Sequence, residues 1–111
     1  MPRKRHREFD ITKNIRIIED LKNETLGSIA EVFRLTSRST NASKEILAGC
    51  LGNIIIACYL LGKRLGVHYG LIDQIIEERL KLGIIEGSDI EDSYGDLSKL
   101  KEHLRESKLD T

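Results

Sequence analysis

A chain of 111 residues, 40% apolar and 32% charged, with one proline and no tryptophan, has room for a single domain with a modest core and is too hydrophobic for a disordered polymer. Eighteen basic and eighteen acidic residues leave a formal net charge of +0, which excludes a global field that would gather nucleic acid or a membrane surface. The longest strongly apolar run, Ile54 to Leu61, is short for a membrane span and contains Cys58 and Tyr59, and the basic N-terminus is not followed by a signal-peptide apolar region, so the chain is expected in the cytoplasm.

Residues 1–9 crowd Arg3, Lys4, Arg5, His6 and Arg7 behind Pro2. Such a run reads as a mobile basic tail, and it lacks the interleaved aromatics that would stack on bases. Residues 10–111 are expected to form one helical domain. Asp10 is a candidate N-cap for its first helix. Ile11, Ile15, Ile18 and Leu21 then recur at helical spacing, with Lys13, Arg16, Glu19 and Lys22 on the other side. Leu26, Ile29, Val32 and Phe33 carry the pattern to about Thr36, with a break or kink expected near Asn23. The polar string from Thr36 to Asn41 is the first clear loop.

Asn41 or Ser43 can cap a second long helix running to about Leu65. Apolar residues cover nearly all of its circumference, and a helix apolar all round must be surrounded. Three further helices in so short a chain leave a face for a second copy, with Ile54, Ile55, Cys58 and Leu61 as candidate contacts in a homodimer or tetramer. Gly49 and Gly52 lie inside this helix at about 1 kcal/mol each against Ala, which suits close helix–helix approach. Cys50 and Cys58, about 12 Å apart along one helix, are beyond disulfide reach and read as buried thiols.

Gly66 closes the second helix. A third is expected from near Gly70, with Ile72, Ile75, Ile76 and Leu80 as its stripe and Gly83 as its end. Residues 84–95, with Glu86, Asp89, Glu91 and Asp92, read as an acidic connection, and Asp96 as the cap of a last helix seamed by Leu97, Leu100 and Leu104. No segment alternates like a strand. The fold class is all-α, a bundle of four or five helices.

Chemistry is sparse. His6, His68 and His103 are scattered, with neither a nucleophile motif nor metal-ligand spacing around them, and no Gly-rich phosphate loop is present. What remains is a metal site built from side chains on facing helices, where residues three or four apart project to one side. The relevant residues are Cys50-Leu51-Gly52-Asn53, Arg64-Leu65-Gly66-Val67, the basic helix from Leu71 to Leu82, and Glu24-Thr25-Leu26-Gly27-Ser28-Ile29-Ala30-Glu31.

These segments, about two-thirds of the chain, resemble the MazG family of all-α nucleotide pyrophosphohydrolases, in particular its small stand-alone bacterial members. The resemblance implies a MazG-like bundle, a Mg²⁺ site on a Glu-Glu-x-x-Glu segment and a Glu-x-x-Asp pair, and cleavage of nucleoside triphosphates with release of pyrophosphate. In this frame the first segment reads Glu24, Thr25 and Ser28, or Asn23, Glu24 and Gly27 in a register one residue earlier, and the second reads Cys50 and Asn53. Four of five family carboxylates are replaced. Glu24 keeps a charge and Asn53 offers one neutral oxygen, whereas Mg²⁺ relies on at least one or two carboxylates.

A catalytically degenerate protein that keeps the scaffold and a nucleotide site is therefore expected, with no resident cofactor and no catalytic residue assigned. The alternatives are a working Mg²⁺-dependent pyrophosphohydrolase using substitute acids, and an oligomeric interaction module. Arg79 and Lys81 are the candidates for phosphate contact.

Overall fold

The computed structural model describes residues 2–37 and 41–109, and within them the side chains of residues 10–37 and 41–108. Five helices follow one another: α1 (Pro2–Leu35), α2 (Lys44–Arg64), α3 (Tyr69–Glu86), α4 (Asp89–Tyr94) and α5 (Asp96–Leu109). No strand occurs among the described residues, so the all-α expectation holds. The chain divides into two units, Met1–Tyr69 and Gly70–Thr111.

In the first unit α1 and α2 pack against each other. Asp10 does not cap α1: the helix starts at Pro2, because proline suits the first helical position and the Arg, Lys and Glu residues that follow are good helix formers. The side chains of residues 2–9 lie outside the described part, and the expected mobility of the basic tail with them. The kink expected near Asn23 is also absent from this continuous helix.

The covered positions on α1 run from Asn14 through Ile18, Leu21, Thr25, Ser28 and Val32 to Leu35, in alternating steps of four and three. Those on α2 run through Leu47, Cys50, Ile54, Ala57 and Leu61 in the same rhythm. A 3.5-residue repeat keeps two helices in register along their length. Ala57, 2% exposed, and Leu21, 8% exposed, are the tightest points of this seam.

The ends of α2 are built as its residue types predict. Ser43 Oγ accepts the Ile46 N–H at 3.2 Å. At the other end Val67 N–H donates to Gly62 O at 2.8 Å and Gly66 N–H to Lys63 O at 3.1 Å. Gly66 supplies the φ of 86° that this termination requires.

In the second unit Gly83 does not end α3, which continues to Glu86 and stops before Gly87, where φ is 77°. Gly83 is there for space. A Cβ at that position would stand 2.9 Å from Leu97 Cδ1, so the glycine lets Leu97 of α5 settle on α3 without shifting its side chain. The acidic connection contains the short helix α4, capped by Ser88 Oγ on the Glu91 N–H. Asp96 lies in the first turn of α5 rather than capping it. The Glu91 carboxylate fills that role, accepting the Ser98 N–H at 3.1 Å and the Ser98 hydroxyl.

Few side chains are deeply buried. Among the described residues only Leu21, Leu35, Ala57 and Leu80 form core, while eighteen large apolar side chains stay exposed. Cys58 is one correction: it is exposed, and Cys50 half-buried. Gly49 and Gly52 are not explained within the chain either, since a Cβ at each would meet nothing within 4 Å. α2, which contains an 18-residue stretch of mean hydropathy 1.8, is long and apolar enough to cross a membrane by length and composition, which the shorter run Ile54–Leu61 did not convey.

Candidate functional site

The α1–α2 seam determines which family positions meet. Asn14 and Arg64 touch at its open end: Asn14 Nδ2 donates to Arg64 O, and an Arg64 guanidinium N–H to Asn14 Oδ1, both at 3.4 Å. Antiparallel helices advance equally, so ten residues on from this contact Glu24 comes level with Ile54. At about 100° per residue, Glu24 stands roughly 70° to one side of the seam on α1 and Asn53 roughly 75° to one side on α2. In an antiparallel couple these flanks coincide. Glu24 and Asn53 thus lie within one residue of the same level and on one side, both exposed.

The substituted positions behave differently. Thr25, Ser28 and Cys50 sit on the seam itself, half-buried. By the same register Thr25 comes level with Asn53, and Ser28 with Cys50. Thr25 Oγ1 is satisfied locally, donating to Leu21 O at 2.7 Å. Facing carboxylates here would be desolvated like charges, tolerable only with a cation between them. Small, neutral side chains let the helices close without one.

The chemistry of this set does not fit Mg²⁺. A hard cation prefers several anionic oxygens, and the level offers one carboxylate, one amide oxygen and a soft thiol. Among the described residues no group of three or more His, Cys, Asp or Glu side chains is placed to hold a metal ion. Glu31 does not supplement the set. Arg34 grips it through Nε at 3.1 Å and Nη2, and that hydrogen bond holds its carboxyl below the ordinary range. Glu45 is exposed in the first turn of α2. Glu91, in the acidic connection, is occupied by Ser98, which lowers its carboxyl likewise.

The basic candidates are spread out. Lys63 lies 5.8 Å from the centre of the Tyr69 ring, and Tyr59 meets the same ring edge-on at 5.8 Å. Arg79 and Lys81 are exposed on α3 in the second unit, Lys81 within 3.6 Å of Glu77. His68 and His103 are exposed, and His6 lies outside the described side chains. Of the four residues expected between copies, Ile54 and Leu61 are half-buried at the seam, whereas Ile55 and Cys58 are exposed. The Asn14–Arg64 link escaped the sequence reading, although Asn14 lies in heptad spacing with Ile18 and Leu21.

A family model described as the MazG-like family matches residues 11–97, more than three quarters of the chain. No curated protein and no solved structure gives a significant match.

Proposed function

Since this chain belongs to the MazG-like family, whose membership points to the NTP pyrophosphatase-like superfamily, we propose that it is a degenerate member in which the metal centre has become a packing seam. One observation carries this reading. Thr25, Ser28 and Cys50, where the family frame calls for carboxylates, are half-buried neutral side chains along the α1–α2 seam, with Glu24 the one family acid left. Without a cation to neutralise the phosphate oxygens and ionise water, hydrolysis between the α and β phosphates has no catalyst here.

The function left to the scaffold is nucleotide binding, with Arg79 and Lys81 as the cationic groups, and assembly with further copies of itself. The exposed Ile55, Ile56 and Leu60 of α2 support assembly, since contiguous apolar surface on a soluble chain marks a contact. The charges of α1 support a cytoplasmic location over a membrane-embedded one. This helix lies along α2 and carries Lys13, Arg16, Glu19, Asp20, Lys22, Glu24, Glu31 and Arg34, and each charge near a bilayer centre costs about 2.5–3.5 kcal/mol.

The test is an assay of pyrophosphate release from a panel of nucleoside triphosphates with Mg²⁺ or Mn²⁺. No turnover above buffer is expected. Turnover that disappears in Glu24→Ala establishes a working enzyme instead.

A further inference from the structure

We propose that the N-terminal end of α1, together with the last turn of α2, binds the phosphate backbone of a nucleic-acid duplex without selecting its bases. This site is independent of the metal centre and of assembly.

The fold gathers charge that the overall composition hides. The formal net charge is +0, yet residues 1–16 carry Arg3, Lys4, Arg5, Arg7, Lys13 and Arg16 against Glu8 and Asp10. The basic run that reads as a tail forms the first turns of α1. Contact between Asn14 and Arg64 sets the last residue of α2 level with Asn14, so residues 2–13 of α1 reach roughly 18 Å beyond it. Arg16, Lys63 and Arg64, all exposed, stand where that extension begins. Two helices thus bring their cations to one end of the first unit, and the field there is local rather than global.

These charges serve neither the helix nor its packing. Counted back from Asn14 in steps of three and four, the seam positions are Ile11, Arg7 and Lys4, so apolar residues give way to cations where α2 stops. No acidic residue lies in the first turn of α1. Cations there oppose the helix dipole, and Arg3 and Arg7, four residues apart, repel each other. A bound polyanion neutralises both effects.

The pattern also selects the polyanion. Successive residues turn by about 100°, so positions 3, 4, 5 and 6, all basic or His, occupy every side of the helix, and residues 3–8 include no apolar residue. A helix lying on a lipid surface needs an apolar face to bury. A helix cationic all round suits the major groove of a duplex, about 12 Å wide, with phosphates along both walls. Residues 1–8 hold no aromatic residue to stack on bases, so contact is to the backbone.

Fluorescence anisotropy of a short labelled DNA duplex, titrated with the full chain, tests this. Binding is expected that weakens roughly a hundredfold or more between about 50 and 200 mM salt, as four or more neutralised phosphates require. An unlabelled duplex of different sequence should compete equally. Arg3→Gln, Lys4→Gln, Arg5→Gln and Arg7→Gln together should weaken binding at least tenfold and flatten its salt dependence, with circular dichroism showing a folded chain. The matching change in α5, Lys99→Gln, Lys101→Gln, Arg105→Gln and Lys108→Gln, should weaken it no more than about threefold. No binding at the lower salt concentration, or equal losses from the two variants, overturns the proposal. Tighter binding to one strand of the same DNA overturns the groove geometry. Flotation with phosphatidylserine vesicles in place of duplex binding overturns the proposal in favour of an anionic membrane.

Discussion

Gly52→Ala separates the chain alone from the assembled chain because its two effects have opposite sign. Glycine inside a helix is about 1 kcal/mol less favourable than alanine. Within the chain the added Cβ meets nothing within 4 Å, so the folded monomer gains that full amount, an upward shift in Tm of roughly 3–5 °C. In the proposed assembly through α2 the new methyl, one turn from the exposed Ile56, meets the neighbouring copy, twice in a two-fold dimer. Overpacking of this kind costs about 1–3 kcal/mol per site, hence about 2–6 kcal/mol per dimer and at least roughly thirtyfold in Kd. Sedimentation equilibrium gives the Kd, and thermal unfolding at high dilution gives the monomer's stability. A variant that melts higher and still dimerises with unchanged Kd would show that nothing approaches Gly52, and assembly through this part of α2 would be refuted.

The remaining predictions concern the seam and the second unit. Cys50→Glu with Asn53→Asp should destabilise the metal-free protein, because Cys50 is half-buried against α1, and Mn²⁺ should restore much of the lost Tm and bind measurably by calorimetry; no effect of Mn²⁺ means the family alignment is misplaced. Leu21→Ala, opening a hole beside Ala57, should cost about 2–5 kcal/mol in denaturant unfolding. Gly83→Ala should be close to neutral, the helix gain of about 1 kcal/mol being offset as Leu97 Cδ1, 2.9 Å away, is pushed off its rotamer. The Glu91 carboxyl is lowered by its hydrogen bonds from Ser98. Its stabilising contribution is therefore complete above the unfolded-state carboxylate range and lost as pH falls through the lower folded-state value, a dependence that pH-titration NMR should show and Glu91→Gln abolish.

Helix existence and type were legible because apolar residues recur at the helical period in α1, α2 and α3, and Ser43 and Gly66 carry their own conformational meaning. Boundaries were less legible. Asp10 looked like a cap, yet nothing in the basic segment resists helix formation, and Gly83 looked like a terminator because a glycine needed for close approach of Leu97 has the same letter as one needed for a positive φ. Glu91 reads from sequence as one more acid in a solvated stretch; only the turn at Gly95 brings it onto the first turn of α5. For the candidate site, the neutral residues Thr25, Ser28, Cys50 and Asn53 were visible in the segments that resemble the family motif. That Thr25, Ser28 and Cys50 share a seam while Glu24 and Asn53 flank it required the register of two helices, which the Asn14–Arg64 contact supplies.

Titration of the wild-type chain with Mn²⁺ by isothermal calorimetry, in the presence of a non-hydrolysable nucleoside triphosphate, bears most directly on the proposed loss of the metal centre. Heats no larger than those of the nucleotide and ion mixed without protein are predicted. Near-stoichiometric binding that Glu24→Ala removes would mean that a functional cation site survives between these helices.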